Sequence, residues 1–163
     1  MKFKPLQKYF FFLIVAISSC RETTTIKRPD VSHINVHVDI ERFDKELANT
    51  KPEDILRKNQ LWQQEYGVFY TDYLTEMLQV AHPEDTMRVR DYLGQILRQK
   101  DFGDLNTAVS RMYPSMDRYE KELTDAIKYV KHYFPKYTIP RFVTYVSGFA
   151  YQTTIGEDYV GIG

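Results

Sequence analysis

The chain has 163 residues, 43% hydrophobic and 27% charged, with 22 basic residues set against 22 acidic ones. That length suits one domain with a leader and a tether, and that apolar content excludes a disordered polyelectrolyte. The even charge split lacks the basic excess of a nucleic-acid-binding surface, so no nucleic-acid partner is expected.

Residues 1–8 carry Lys2, Lys4 and Lys8 and no acid. An unbroken apolar run follows from Tyr9 to Ile17, and Ser18-Ser19-Cys20 closes it. A bilayer-spanning helix needs about 20 apolar residues, so this run is too short to span. A basic start, a short apolar core and small residues before a cut mark a secretory signal peptide. Cys20 is the only cysteine in the chain. The four positions Ile17, Ser18, Ser19 and Cys20 resemble a bacterial lipobox, with Ile in the first place where Leu is commoner. That resemblance implies a diacylglyceryl group on the Cys20 thiol, a cut between Ser19 and Cys20, and acylation of the new amine. Each buried CH2 contributes ~0.8 kcal/mol, so several acyl chains together hold a protein to a membrane stably. Residues 1–19 are thus read as a lipoprotein signal peptide, and 20–32 as the lipidated Cys with a polar tether.

In the remaining chain, Ile34, Val36, Val38 and Ile40 alternate with His33, Asn35, His37 and Asp39. This predicts a half-buried strand. From Asp54 to Met77 apolar residues recur at helical spacing, with Gly67 able to divide the run. The His82-Pro83-Glu84-Asp85 turn starts another helix, and Leu105, Val109 and Met112 suggest a short third one. Ser115 is the expected N-cap of the clearest helix, which Pro135 stops. Arg141 to Ser147 reads as a strand broken by Gly148. Tyr151 to Ile155 and Tyr159 to Ile162 read as two more, turning at Gly156-Glu157-Asp158. The fold expected is α+β, mainly helical with a small sheet from the N-terminal strand and the C-terminal strands. The last strand-like run reaches Gly161-Ile162-Gly163 without a polar tail, which predicts an open edge. Residues 33–163 are on that ground expected to be the N-terminal portion of a larger envelope domain. A lysine at Val160 or Ile162 is expected to oppose edge pairing.

Several whole segments point the same way: the leader, the His33 to Asp44 strand, Tyr66-Gly67-Val68-Phe69-Tyr70, the helix into Tyr133-Phe134-Pro135, Phe142 to Gly148, and Tyr159 to Gly163. Together they resemble the gliding motility lipoprotein GldB family of Bacteroidetes over nearly the whole chain. The resemblance implies a cell-envelope lipoprotein that supports gliding, with no established enzymatic activity and with other gliding or secretion envelope proteins as partners. Arg21 and Glu22 do not sort it between the inner and outer membranes. The chain is also similar, more distantly, to predicted zinc metallopeptidases. On that alternative reading, a metallopeptidase-like motif belongs beyond residue 163.

No enzyme chemistry is visible in the residues themselves. There is no His-Glu-x-x-His, and His33 and His37 on a straight strand lie about 13 Å apart, too far to share one zinc. His37 and Asp39 are closer, without a third ligand. The Gly-x-Ser-x-Gly elbow is missing around Ser147-Gly148, and so are the phosphate-binding glycine loops. No catalytic, metal or cofactor-binding residue is therefore assigned, and no cofactor is expected. Asp39 and Glu41 share a strand face as a carboxylate pair and are read as ordinary surface acids. Tyr66, Phe69, Tyr70 and Tyr73 suit a glycan- or partner-binding face, but packing in the core is their expected use.

Overall fold

A computed structural model describes residues 28–163. The segment expected to be a signal peptide, with Ser19 and Cys20, and most of the expected tether lie outside the described residues. Val31–Gly163 forms one compact unit.

The order of elements is β1 (Ile40–Arg42), α1 (Phe43–Ala48), a 3-10 turn (Pro52–Asp54), α2 (Ile55–Tyr66), α3 (Val68–Asp72), a π-helical turn (Tyr73–Met77), α4 (Thr86–Leu97), α5 (Lys100–Met112), α6 (Asp117–Tyr133), β2 (Arg141–Thr144), β3 (Thr153–Ile155) and β4 (Tyr159–Ile162). The strands form one sheet in the order β1-β2-β4-β3. β1, β2 and β4 run parallel, with Ile40 opposite Phe142 and Phe142 opposite Val160, and β3 is antiparallel to β4. The architecture is α+β, and the sheet joins the N-terminal strand to the C-terminal ones as expected.

Both sheet faces are covered, as a mostly parallel sheet requires. Neighbouring residues of β2 therefore enter different cores. Val143 joins Phe43, Leu47, Trp62, Phe69, Leu74 and Leu93 from α1 to α4, while Phe142 joins Ile40, Val38 and Ile127 under α6. Phe43 is fully buried at the centre of the first core. Its ring meets Trp62, Tyr66, Phe69, Tyr70 and Tyr73 edge-on, at centroid distances of 5.1 to 5.8 Å. Such pairs add ~0.5–1.5 kcal/mol each beyond area burial. Tyr66, Phe69, Tyr70 and Tyr73 are thus core residues, as expected. Their hydroxyls are met where they need to be: Tyr70 donates to Asn59 Oδ1 at 2.8 Å, and Tyr66 to Glu46 Oε1 at 3.1 Å.

Local expectations hold where the signal was chemical. Gly67 divides the long helical run, at φ 53° and ψ −121°. Asp85 caps α4 by accepting from the Arg88 amide at 3.2 Å. Ser115 stands one place before the N-cap, which is Met116 rather than the serine expected there, although its Oγ still accepts from the Asp117 amide at 3.0 Å. The third helix is a full 13 residues rather than short.

Two expectations are corrected. Residues 33–39 are not a strand, although their burial alternates as predicted. Side chains of α6 take the place of a neighbouring strand: the Val38 amide donates to Thr124 Oγ1 and the Ile40 amide to Glu120 Oε1, both at 3.0 Å. Tyr159–Ile162 is not an open edge either, because β4 lies between β2 and β3. The outer strands are β1 and β3.

Candidate functional site

The carboxyl ends of β1, β2 and β4 all point to one end of the sheet. Ligand sites in open α/β sheets form outside such ends. Here they open into a cleft of about 740 Å³, walled by α5, the start of α6 and the loop from Tyr145 to Gln152. That volume falls in the range of ligand pockets. Its walls are apolar: Leu105 and Val109 come from α5, Met116 and Leu123 from α6 and its approach, and Ile40 and Ile162 from the sheet.

The floor holds the cleft's buried charges. Arg42, at the end of β1, grips Asp44 in the first turn of α1 with two bonds, Nε to Oδ1 at 2.8 Å and Nη2 to Oδ2 at 2.6 Å. Its Nη1 donates to the Tyr113 carbonyl at 3.2 Å. The Thr144 hydroxyl, from the end of β2, lies 2.5 Å from Asp44 Oδ1. Burial raises the Asp44 carboxyl, but the bonds from Arg42 and Thr144 outweigh it and hold it below the ordinary range. A bidentate arginine–carboxylate pair is strong and geometrically fixed. It leaves Asp44 ionised and occupied, a poor starting point for a general base.

The rim is unusual. Gly148 and Phe149 both have positive φ, 59° and 66°, and Phe149 is 88% exposed. A left-handed conformation in a bulky residue is uncommon, and here it lies in the turn that the Ala150 amide closes on the Ser147 carbonyl at 3.2 Å. Met112, at the end of α5 nearby in sequence to Tyr113 of the cleft wall, is 71% exposed.

A second hollow of about 470 Å³ lies on the other side of Arg42, lined by Lys45, Glu46, Arg57 and Lys58 among others. Its cations are engaged: Lys58 with Glu46, Arg57 with Asp54, and Lys45 with the Pro114 carbonyl. Glu46 also accepts from Trp62 Nε1 at 2.8 Å and Tyr66, so it braces the core.

The residues weighed in the sequence are scattered relative to the cleft. His37 pairs with Asp39 at 3.0 Å on the surface, both side chains more than 70% exposed. Glu41 instead turns to Arg141, which also lies over the Tyr66 ring. Asp39 and Glu41 therefore form no carboxylate pair, and Glu41 is a half-buried inter-strand tie rather than an ordinary surface acid. Among the described residues, no group of three His, Cys, Asp or Glu side chains is placed to hold a metal ion. No described helix is long and apolar enough to cross a membrane. Sequence reasoning missed Arg42, Asp44, Thr144 and Phe149. The available signal was Arg-x-Asp immediately after an alternating segment, where a strand hands over to a helix.

No curated protein and no solved structure matches the chain. A family model does, that of the gliding motility protein GldB, over residues 24–163. The match covers every element of the sheet, both helical layers and the cleft, and the chain accordingly belongs to the GldB gliding motility protein family.

Proposed function

We propose that this protein supports gliding as a non-catalytic docking component of the cell envelope, held to its membrane by acyl chains on Cys20. The cleft receives another protein of the gliding or secretion machinery. One observation carries the reading: an apolar cleft whose buried charges neutralise one another, with the strained, exposed Phe149 at its mouth. Exposed aromatic anchors beside apolar hollows are what protein interfaces use, and hot spots gather there. The charged groups that line the cleft are each paired: Asp44 is held by Arg42, and Glu122 by Arg118 one helical turn earlier on α6.

The test is made in gliding cells. Phe149→Asp, alone and with Met112→Ser, should abolish or strongly reduce colony spreading while the protein stays membrane-bound at normal abundance. A photo-reactive residue at position 149 should cross-link to one partner, and one at exposed Met87 should not. Normal spreading by the double variant would overturn the cleft as the docking site.

A further inference from the structure

The end of the molecule opposite the cleft has a different chemistry. Helix α6 runs from the cleft at Met116 down to Tyr133, and the chain then passes through 134–140 before entering β2. Tyr133, Phe134 and Tyr137 are 62%, 65% and 43% exposed there. Between Asp125 and Glu157 the sequence contains Lys128, Lys131, Lys136 and Arg141 and no acid at all. Arg141 is matched by Glu41 and Lys128 by Asp125. Among the described residues Lys131 meets no carboxylate: its Nζ donates to the Pro135 and Tyr137 carbonyls at 2.8 and 3.0 Å and so holds the aromatic loop in place. Lys136 is exposed beside Phe134 and makes no ion pair among the described residues. His132 packs edge-on against the Tyr133 ring at 4.9 Å.

The path of residues 34–40 leads to the same end. Ile40 binds Glu120 and Val38 binds Thr124, so two residues of chain match four of helix. Two residues of extended chain and four of helix both advance ~6 Å, which keeps the register. Followed backwards, the segment reaches the last turn of α6 near residue 34, and Val36 packs against the core that also receives Val130 and Ile139. The compact unit therefore begins, at residues 31–34, at the aromatic, cationic end. Acids border this end as well: Glu157 and Asp158 lie in the β3–β4 turn, where the Asp158 carbonyl accepts from the Arg141 amide at 2.9 Å, and β2 and β4 separate that turn from β1.

We propose that this end, Lys131 to Tyr137, seats on the surface of an anionic phospholipid bilayer. The rings of Tyr133, Phe134 and Tyr137 enter the headgroup level, and Lys136, with Lys131, faces the phosphates. Tyrosine rings settle at that level, a phenylalanine beside them adds buried apolar area, and lysines near an anionic leaflet gain from its potential. The contact orients rather than anchors: with the compact unit beginning at the same end, the cleft faces away from the membrane toward partners. What the surface faces in the cell rests on the envelope location proposed above; the contact itself does not.

The full chain, purified from host membranes, is reconstituted into vesicles of neutral phosphatidylcholine or of phosphatidylcholine with phosphatidylglycerol. Tyr133→Trp supplies a probe, with Phe134→Trp as a second in case the first perturbs the helix. Trp62 is fully buried and gives a constant background. Acyl-brominated lipid should quench the probe in anionic vesicles and less in neutral ones. Lys136→Gln should weaken the quenching, one lysine being worth roughly fivefold in partition. Protein that floats with the vesicles while neither probe is quenched overturns the contact and leaves the lipid anchor standing. Protein that fails to float at all overturns both.

Discussion

The Thr144 hydroxyl lies 2.5 Å from Asp44 Oδ1, and the two residues, 100 apart in the chain, tie the end of β2 to the start of α1. Arg42 completes the knot, with side chains of Arg42 and Asp44 only 16% and 10% exposed. Removing one member leaves a buried charge without its partner. Asp44→Ala should therefore cost ~3–5 kcal/mol in urea unfolding followed by Trp62 fluorescence. The paired change Arg42→Met with Asp44→Leu should recover most of that loss. A single variant as stable as wild type would show that the pair is not buried in solution.

Acid should unfold the domain partly through the same carboxylate. Burial pushes both Asp44 and Glu46 up, but their hydrogen bonds and nearby cations hold both below their ordinary values. A native value below the unfolded one adds stability above the ordinary carboxylate range. That stability is lost as the pH falls through the native value. The unfolding midpoint should thus drop below roughly pH 4, and Asp44→Asn should flatten the drop. An unchanged acid limb in that variant would remove Asp44 from the account.

Gly67 separates backbone strain from crowding. A Cβ at this position meets nothing within 4 Å, yet φ is +53° with ψ at −121°. Gly67→Ala should cost on the order of 1–3 kcal/mol from conformation alone. Gly103, inside α5 and equally uncrowded, has ordinary helical geometry. Gly103→Ala should stabilise by about 0.5–1 kcal/mol. Thermal melts of the two variants should move in opposite directions.

The sheet order reassigns the edge. Ile155, on outer strand β3, is 83% exposed, whereas Val160 is on inner β4 and packs against the core under α6. Ile155→Lys should leave stability within about 0.5 kcal/mol and reduce any self-association seen by light scattering. Val160→Lys should cost roughly 2 kcal/mol or more by bringing a charge under α6. Equal effects of the two would contradict the strand order.

Cys20→Ala should abolish incorporation of a clickable fatty acid in cells and release the protein from membranes in a high-salt wash, or leave it as uncleaved precursor. The motive is the lone cysteine closing the apolar run from Tyr9 to Ile17. Equal label in wild type and variant would sink the lipoprotein reading.

Local chemistry was legible along the chain. Gly67, Asp85 and Ser115 act within a few residues of themselves, through φ and short hydrogen bonds, so their positions announced the break and the helix starts. Apolar spacing likewise placed α2, α4 and α6 and put the four aromatics from Tyr66 to Tyr73 in the core. Alternation at residues 33–39 correctly told which side chains face inward. It did not tell what they face, because period two is satisfied equally by a strand in a sheet and by chain lying on a helix. The placement of β4 between β2 and β3 depends on pairing across 18 residues, as between Phe142 and Val160, and the meeting of Asp44 with Thr144 across 100. Those contacts are set by how two helical layers close on one sheet, and no local pattern records them. Sequence alone thus determined the longer helices, the C-terminal strands, the family resemblance and the composition of each face. The tertiary structure decided which ends of those elements converge, and so where the cleft and the cationic end lie.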